Sequence, residues 1–582
     1  MSCGVRHLWR SPRLVAGLLM VGAAGAAALA GVFVAGDPFV PSQAILVGPS
    51  GPHPLGTDEL GRDILARILH GAGTSLLVAF AAVLPATVFG TTLGLVSGYA
   101  GRFLDELILK AAELFQIIPA FLLALVAGAL LGPSLLLLIV VLNIIFWPFT
   151  ARLARGEAAA LREREFVEAA RALGASRLRI LRRHVLPGVL APVIVNASFQ
   201  AGVAMLVEAG LAFLGLGDAN VVSWGQMLAD AQEYLGVAWW LYVLPGAALA
   251  FTILGMNLTG DGLNQLRSGA DVARPARRRG RAEAAPAEGL GELRDGGEPI
   301  RRARVTERAL LEVRGLTTRF GLGGEALRVV DGVSFELRAG QRFGIVGESG
   351  SGKTVTALSI MGLVDPPGRV EAGEIWLNGR DLRRLSEREY RAVRGARVAM
   401  IFQDPLSSLN PVIRVGDQLA ETIAMHRQVS RRESRELAVA FLCDVGIPAA
   451  RERFGAYPHE LSGGMRQRVG IALALCCEPD VLIADEPTTA LDVTIQAQIL
   501  DLLRKLTDDQ GTAVILITHD LAVIAGFAEE VAVMYAGRVV ERADVDTLFA
   551  RPAHPYTQSL LASVSRLDGP SHAGRFTGEA AP

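Results

Sequence analysis

The stretch FGIVGESGSGKTVTAL, residues 343–358, joins a short apolar run to a helix-forming segment through a glycine-rich loop. Its centre has the spacing G-x-x-x-x-G-K-T of a phosphate-binding loop. Glycines let backbone N–H groups wrap around phosphates, the lysine reaches the β- and γ-phosphates, and the threonine hydroxyl can ligate Mg²⁺. The sequence therefore predicts a strand, a loop and a helix that bind a nucleoside triphosphate through Gly347, Glu348, Ser349, Gly350, Ser351, Gly352, Lys353 and Thr354.

In the stretch VLIADEPTTALD, residues 481–492, a second apolar run is followed directly by two adjacent carboxylates. Asp485 is suited to hold Mg²⁺, and Glu486 to act as general base on the attacking water. His519 follows a further apolar run and is a candidate partner of the γ-phosphate; alone it would be read as an ordinary strand-end residue. From residue 309 onward, short β-branched runs alternate with helical segments, which predicts an α/β fold.

The first 265 or so of the 582 residues have a different composition, with long uncharged runs of Leu, Ala, Val and Gly. A membrane span needs about 20 mostly apolar residues. Six segments pass this test, at about 13–35, 74–98, 114–132, 134–151, 187–215 and 238–260. The first could instead be a signal peptide, because a basic start precedes it and Ala28-Leu29-Ala30 resembles a cleavage site.

Arginine asymmetry predicts the orientation of these spans. Arginines at 6, 10 and 13 place the N-terminus in the cytoplasm, and the arginine-rich loop 152–187 then also faces the cytoplasm. Residues 268–308 are rich in Ala, Gly, Pro, Arg and Glu without apolar periodicity, which indicates a flexible linker. Their ARRRGR run favours anionic lipid headgroups over nucleic acid, and the formal net charge of -1 gives no reason to expect a nucleic-acid partner.

The four cysteines make a poor disulfide framework, because two of them are adjacent and three lie in the second half. Cys476 and Cys477 lie in an apolar segment, where buried thiols are expected rather than metal ligands. The absence of a recognisable disulfide pattern is compatible with a reducing cytoplasm around the second half of the chain.

The stretch LSGGMRQRVGIALAL, 461–475, resembles the signature sequence of ATP-binding cassette (ABC) ATPases. The resemblance implies that this stretch acts on ATP bound to a second ATPase domain, through Leu461, Ser462, Gly463, Gly464 and Gln467. Gln403 resembles the Q-loop glutamine, a Mg²⁺ ligand that also links the nucleotide site to the membrane partner, and Asp492 ends a segment similar to the D-loop. Phe320 is a candidate for stacking on adenine, with a surface-loop phenylalanine as the alternative.

The cytoplasmic loop contains EAARALGASRLRILRRHVLP, residues 168–187. Apolar residues recur at helical spacing on one face, and Gly174 interrupts the helix and permits a turn. The apolar set is Ala170, Leu173, Leu178, Leu181 and Val185. Glu168-Ala169-Ala170, Gly174 and the closing Leu-Pro resemble the EAA loop of ABC importer permeases, which docks into a groove of the ATPase. In ABC exporters, the membrane spans usually precede the ATPase in one chain, so the domain order alone would indicate an exporter. The resemblance to the EAA loop indicates an importer instead.

Two further segments narrow the resemblance. HPLGTDELGRDILARILHGAGTSLLVA at 53–79 and EAGLAFLGLGDANVVSWGQML at 208–228 are similar to one permease type of dipeptide, oligopeptide and nickel importers. YPHELSGGMRQR at 457–468 and ARPAHPYTQSLL at 550–561 are similar to the ATPase of the same systems. The resemblance implies peptide import, with nickel or glutathione as alternative cargo and an exporter half-transporter as a weaker alternative. A non-transport ABC ATPase would lack the spans.

Together these features predict an all-α membrane permease, similar to type I ABC importers, fused to an α/β P-loop ATPase. The expected parts are a permease domain at 1–267, the linker at 268–308 and the ATPase with its C-terminal extension at 309–582. The resemblance implies ATP and Mg²⁺, a second permease subunit, a second ATPase subunit and an extracytoplasmic solute-binding protein, at the cytoplasmic membrane. No iron–sulfur cluster is expected, because no cysteine follows Cys477.

Overall fold

The structure, a computed structural model, describes residues 11–99, 102–117, 119–218, 220–271, 309–321, 327–489 and 493–567. These residues form two compact units. The membrane unit comprises 11–162 and 185–271, and the cassette unit comprises 163–184 and the residues from 309 onward. The segment 163–184 therefore leaves the membrane unit and belongs to the cassette unit, which is what an ATPase-docking loop requires.

The first half of the chain is helical. Its helices are α1 Pro12–Phe33, α2 Ile64–Tyr99, α3 Arg102–Ile117, α4 Ala120–Leu131, α5 Leu135–Arg162, α6 Glu165–Ala172, α7 Leu186–Leu211, α8 Trp224–Asp230 and α9 Trp240–Asp271. Helical turns at Arg177–Arg179 and Ile180–Val185 lead into α7, and another at Ala212–Leu216 continues it. Of these helices, α6 lies in the cassette unit.

Five helical segments are long and apolar enough to cross a membrane: Pro12–Phe33, Ile64–Tyr99, Leu135–Arg162, Arg177–Leu216 and Trp240–Gln265. Phe103–Ile117 and Phe121–Leu131 pass the same test together but are bent by 71° at their junction. By length and composition, the described residues therefore have five candidate spans, or six if the bent pair is one span. The sequence pattern did not predict this bend within 114–132.

Helix α5 extends farther than the sequence pattern predicts. It runs to Arg162 rather than ending near 151, so the first part of the expected cytoplasmic loop 152–187 is helix. Arg155 explains part of this extension, because its Nη2 donates to Oδ2 of Asp105 on α3 at 2.6 Å. A charged residue paired in this way continues a helix beyond the apolar region that the composition marks.

Small residues bring α2 and α5 into close contact. Gly90, Gly94 and Gly98 occur at every fourth position of α2, on one face. A Cβ atom at Gly94 would lie 2.4 Å from the carbonyl oxygen of Ala151, and one at Gly90 would lie 2.5 Å from that of Trp147. Membrane helices associate through such small-residue faces, because lipid supplies no hydrophobic drive between them.

The cassette unit is built on two sheets. Its strands are β1 Leu311–Phe320, β2 Leu327–Leu337, β3 Arg342–Val346, β4 Arg369–Leu377, β5 Arg380–Asp381, β6 Val398–Ile401, β7 Val481–Asp485, β8 Ala513–Thr518, β9 Glu530–Tyr535 and β10 Arg538–Asp544. An antiparallel sheet has the order β2-β1-β4-β5, and a larger sheet has the order β10-β9-β3-β8-β7-β6. In the larger sheet β9, β3, β8, β7 and β6 are parallel, and β10 is antiparallel.

Helices cover the parallel sheet. They are α10 Lys353–Ile360, α11 Glu387–Val393, α12 Pro405–Ser408, α13 Val415–His426, α14 Arg431–Asp444, α15 Ala450–Arg453, α16 Gly463–Leu475, α17 Val493–Gln510, α18 Leu521–Phe527, α19 Val545–Ala550 and α20 Pro555–Leu567. Every residue of β7 and β8 is buried, which is why both strands read as continuous apolar runs rather than alternating ones. This confirms the α/β fold that the sequence predicts for this half.

Candidate nucleotide and coupling sites

The residues singled out from the sequence converge at one edge of the parallel sheet. The P-loop follows β3, Gln403 lies two residues beyond β6, Glu486 follows β7 and His519 follows β8. These four strands are parallel and contiguous in the order β3-β8-β7-β6. Their carboxyl ends therefore meet at one edge, where open α/β sheets bind their ligands.

Glycines shape the P-loop. Gly350 and Gly352 have φ of +86° and +98°, a region that residues with a Cβ rarely occupy. A Cβ at Gly352 would also lie 2.6 Å from the carbonyl oxygen of Val329. Helix α10 begins at the next residue, so its unpaired N–H groups face the loop.

Lys353 is folded back onto this loop. Its Nζ donates to the carbonyl oxygens of Gly347 at 2.7 Å and Glu348 at 2.8 Å. Burial lowers the pKa of Lys353 below its ordinary value, although nearby carboxylates, Glu486 foremost, oppose this. The ammonium is therefore held at the centre of the loop by dipoles that a phosphate oxygen can replace.

Asp485 lies at the end of β7 with 2% of its surface exposed. Thr354 hydrogen-bonds to its carboxylate, and its Oδ1 has no partner among the described residues. Burial raises the pKa of Asp485 to about 6. A buried carboxylate oxygen without a partner, beside a hydroxyl, fits the hard oxygen ligands that Mg²⁺ prefers.

Glu486 is surrounded by hydrogen-bonding side chains. His519 Nδ1 lies 3.0 Å from its Oε1, while Gln403 Nε2 at 2.9 Å and the Thr489 hydroxyl at 2.8 Å donate to its Oε2. Burial raises the pKa of Glu486, but the hydrogen bonds from His519 and Thr489 outweigh burial, so the pKa is lowered. The carboxylate is thus ionised and oriented, as an acceptor of a proton from water must be.

Two residues singled out from the sequence share Glu486 as their partner. His519 and Gln403 both bind its carboxylate, and the expected contacts of His519 with a phosphate and of Gln403 with Mg²⁺ stay predictions. Thr489 was not singled out from the sequence. Its position three residues after Glu486 is the available signal, because Thr489 returns to that carboxylate through a turn.

Helix α16 presents the signature residues at its N-terminus. The Ser462 hydroxyl accepts a hydrogen bond from Met465 N–H as the N-cap, and Ser462 and Gly463 are exposed. Gln467 departs from the expectation that it acts on a nucleotide, because only 1% of it is exposed. Its side chain donates to the carbonyl oxygen of Pro487 and so connects the signature helix to the segment that carries Glu486.

Phe320 ends β1 and pairs with Leu327 across the hairpin. Its ring packs on Gly368, where an added Cβ would lie 2.4 Å from Cε1 of the ring. The same hairpin brings Val329 against Gly352 of the P-loop. The hairpin that carries Phe320 therefore contacts the P-loop through Val329, and stacking of Phe320 on adenine stays a prediction. Asp492, together with Ala490 and Leu491, lies outside the described residues.

The segment 163–184 is bound to the cassette at several points. The Ser407 hydroxyl donates to Glu165, Arg171 pairs with Asp365 at 3.1 Å, and His426 Nε2 lies 2.6 Å from the carbonyl oxygen of Leu173. These contacts fall along the whole of α6. They show a docked segment rather than a loop that merely satisfies membrane topology.

The end of the segment is held by a buried carboxylate. Glu421 on α13 is 8% exposed and accepts from Arg183 Nε at 2.9 Å. Burial raises the pKa of Glu421, and the charge of Arg183 opposes this. Asn410 Nδ2 also donates to the carbonyl oxygen of His184 at 3.3 Å. Glu421 and Asn410 were not singled out from the sequence, and no local pattern marks them.

Gly174 breaks the helix as predicted. Helix α6 ends at Ala172, and Gly174 has φ of +83°. A Cβ there would lie 2.6 Å from the carbonyl oxygen of Arg391 and 3.0 Å from that of Arg394. The glycine is therefore required twice, by its own conformation and by the closeness of the cassette backbone.

The predicted EAA residues line the contact unevenly. Ala170 is buried, Ala169 is partly buried and packs against the cassette core, and Glu168 is half-buried. Burial raises the pKa of Glu168, the charge of Asp365 raises it further, and Arg171 opposes both. The small alanines thus allow the segment to approach the cassette closely, while Glu168 lies at the edge of this contact.

The single apolar face predicted across the Gly174 break is wrong for Leu178, which is 62% exposed. Ile180, which was not in the predicted set, is buried at 1%, and Val185, which was in it, is also buried. A continuous helical spacing does not hold across Gly174, because the positive φ redirects the chain.

A small cavity lies between this segment and the cassette core, with a volume of about 50 Å³. Phe166, Leu173 and His184 line it from the segment, and Glu421, Gln467 and Leu473 line it from the cassette. The segment, α13 and the signature helix α16 thus line one cavity. The described residues contain no group of three or more His, Cys, Asp or Glu side chains placed to hold a metal ion.

Three parts of the chain match models of known protein families. Residues 90–267 match the binding-protein-dependent transport system inner membrane component, 330–489 match the ABC transporter family, and 540–581 match the oligopeptide/dipeptide transporter C-terminal region. The permease match lies within the membrane part of the chain, and the ATPase match contains the P-loop, Gln403 and Glu486.

Known proteins with high similarity are ATP-binding subunits of transporters. The dipeptide transport ATP-binding protein DppD of Bacillus subtilis (strain 168) is 53% identical over 260 residues, which cover 44% of this chain and 78% of that protein. DppD of Escherichia coli (strain K12) is 53% identical over 256 residues, which cover 44% and 78%. The oligopeptide transport ATP-binding protein OppD of Bacillus subtilis (strain 168) is 52% identical over 266 residues, which cover 46% and 74%.

The ATPase site, the docked loop and these matches agree with one another. The chain binds and hydrolyses ATP in coupling to transport, and it belongs to the dipeptide/oligopeptide family of binding-protein-dependent ABC importers, with an inner-membrane permease component and its ATPase joined in one polypeptide.

Proposed function

We propose that the protein imports dipeptides or oligopeptides across the cytoplasmic membrane, as one permease subunit and one ATPase subunit of the transporter. The observation that carries this proposal is the binding of residues 163–184 to the cassette, through Arg171, Leu173 and Arg183. A permease loop held by buried and charged contacts can transmit motion of the ATPase to the spans. The names of the similar proteins support peptides as cargo.

In the proposed reaction, Glu486 accepts a proton from the attacking water. His519, Gln403 and Thr489 orient its carboxylate, and the lowered pKa keeps it ionised at neutral pH. The P-loop N–H groups and Lys353 bind the phosphates of the substrate ATP. Mg²⁺, held by Thr354 and Asp485 and expected also at Gln403, would neutralise charge on the β- and γ-phosphates.

The assembly we propose needs a second permease, a second ATPase and an extracytoplasmic solute-binding protein. Ser462 and Gly463 support the second ATPase, because they are exposed at a helix N-terminus and can reach a nucleotide on another cassette. We assign the ATPase and the N-terminus to the cytoplasmic side, with lipid around the spans. We place the permease domain at 1–267, the linker at 268–308 and the ATPase domain at 309–582.

Closure of the two ATPases on ATP would move α16, and with it Gln467 and the cavity shared with Phe166 and Leu173. A ligand can shift a conformational equilibrium only through its different affinity for the two states. We therefore expect ATP to favour the conformation in which the signature residues of one cassette face the phosphates of the other. Hydrolysis then resets the docked loop and the spans.

Uptake in reconstituted vesicles tests this function. The full chain is co-purified with the proposed partner subunits, and ATP-dependent uptake of a labelled dipeptide is measured with and without the binding protein. We expect accumulation only with both ATP and the binding protein. Uptake of nickel or glutathione in place of peptides would contradict the proposed substrate. Transport in the outward direction would contradict the proposal that the protein is an importer.

Phe320→Ala tests the proposed adenine contact. Stacking of a base on an aromatic ring is worth about 1–3 kcal/mol, so we expect the Kd for ATP to rise by about tenfold. Equilibrium binding of labelled ATP to the full chain measures this. Leu327→Ala is the control, because Leu327 is the exposed partner of Phe320 across the hairpin. An unchanged Kd in Phe320→Ala would restrict the ring to its packing on Gly368.

A further inference from the structure

A tyrosine from the C-terminal extension reaches the P-loop. The Tyr556 hydroxyl accepts a hydrogen bond from the backbone N–H of Glu348 at 3.1 Å, across 208 positions of the chain. Tyr556 lies at the start of α20, within the region that matches the oligopeptide/dipeptide C-terminal model. None of the catalytic contacts described above involves this residue.

The turn that carries Tyr556 is firmly held. The carboxylate of Glu541 on β10 accepts hydrogen bonds from the N–H groups of Ala553 at 2.7 Å and His554 at 2.9 Å. His554 Nδ1 accepts in turn from Tyr556 N–H at 3.1 Å, and Thr557 is fully buried. Because these bonds define the turn, the tyrosine hydroxyl is delivered to the loop by a preformed element.

The turn between β9 and β10 also contacts the P-loop. Gly537 N–H donates to the carbonyl oxygen of Ser351 at 3.1 Å. A Cβ at Gly347 would lie 2.2 Å from the carbonyl oxygen of Met534. The P-loop is therefore contacted both by the turn after β9 and by the C-terminal extension.

A phosphate-binding loop binds its ligand by directing several backbone N–H groups toward one phosphate. Glycines make such a loop costly to order, because they have the most conformational freedom to lose. Contacts that order the loop before ATP arrives reduce the entropy that binding must overcome. A hydrogen bond that fixes Glu348 N–H from outside has this effect without touching the substrate.

We propose that Tyr556 is a positioning residue of the ATP site, through which the C-terminal extension holds the P-loop ready to receive phosphates. Tyr556 acts through the backbone of Glu348 and takes no part in cleavage. The proposal rests on ATP hydrolysis at this site, and it adds a role for the extension that the catalytic residues do not explain.

Tyr556→Phe in the full chain with its partner subunits tests the proposal, because it removes one hydroxyl and keeps the ring. We expect the KM for ATP to rise about threefold to tenfold, as the loss of one hydrogen bond predicts. The Kd for ATP, measured in a Glu486→Gln background, should rise equally. The kcat should be unchanged, because Glu486, His519 and Gln403 follow other strands.

Hydrogen exchange provides a measurement that needs no hydrolysis. In the nucleotide-free protein, we expect the peptide containing Glu348 to exchange faster in Tyr556→Phe than in the wild type. If the wild type hydrolyses no ATP, the assigned activity fails, and the exchange rate still decides the role of Tyr556.

Two further variants make the outcome unambiguous. Tyr535→Phe is the matched control, because its ring centroid lies 4.4 Å from that of Tyr556 but its hydroxyl has no hydrogen-bond partner among the described residues. Glu541→Ala releases the turn and should raise the KM in the same direction as Tyr556→Phe, without adding to it. Unchanged KM and exchange in both Tyr556→Phe and Glu541→Ala would overturn the proposal. A fall in KM would also overturn it, because the hydroxyl would then compete with the nucleotide.

Discussion

Glu486→Gln is expected to reduce ATP hydrolysis at this site by about 10²- to 10⁴-fold, the usual contribution of a general base. Glutamine keeps the size of the side chain and can still bind His519 or Thr489, but it cannot take a proton from water. ATP should bind with unchanged or higher affinity, because the P-loop is untouched. Uptake of solute should be lost with hydrolysis.

The measurement must separate this site from the one on the partner ATPase. Hydrolysis is therefore compared in complexes whose partner carries the corresponding glutamine substitution, so that the remaining activity belongs to Glu486. Glu433→Gln, an exposed glutamate on α14, is the control and should retain full activity. Undiminished hydrolysis in Glu486→Gln would remove this residue from the role of base.

Gly174→Val is expected to abolish uptake while membrane insertion and ATP binding persist. A valine at φ of +83° is strained, and its first side-chain carbon would lie 2.6 Å from the carbonyl oxygen of Arg391. The contact must therefore open, and the hydrogen bond of Leu173 to His426 and the ion pair of Arg171 with Asp365 would be lost with it. We expect uptake to fall more than tenfold, since the strain and the lost contacts together cost several kcal/mol.

Gly156→Val is the matched control for this effect. Gly156 lies on α5, near the cytoplasmic loop, and nothing lies within 4 Å of an added Cβ there. Uptake is measured in vesicles, insertion by the amount of protein in washed membranes, and ATP binding on the same samples. Normal uptake in Gly174→Val would show that the docking of 163–184 does not couple ATP to transport.

Local patterns predicted those features that depend on neighbouring residues. The P-loop is a strand, a glycine loop and a helix within sixteen residues, so one stretch of sequence predicts both its conformation and its ligand. The same holds for Asp485 and Glu486 at the end of a buried strand, and for the turn at Gly174. Composition predicted where membrane segments lie, because burial in lipid demands apolar side chains along the whole length of a span.

The features that sequence reasoning missed are contacts between distant residues. Gln467 was expected to face a nucleotide but is buried against Pro487, and Leu178 was expected in an apolar face but is exposed. Neither outcome follows from spacing, because each depends on which surface the helix meets. Glu421 and Tyr556 carry no motif of their own, and their roles come from partners 238 and 208 positions away.

The sequence by itself therefore determined that the chain has a membrane part and an ATPase part, which stretch has the pattern of a phosphate-binding loop, and where the segment 163–184 turns. Only the tertiary structure decided how the catalytic carboxylate is held, by Gln403, Thr489 and His519 together, and how the loop is bound, through Glu421 and the cassette backbone around Gly174. Motifs encode the conformation of a short stretch through steric limits and backbone hydrogen bonding. Contacts between residues far apart in the sequence depend on how whole helices and strands pack, and local sequence patterns do not contain that information.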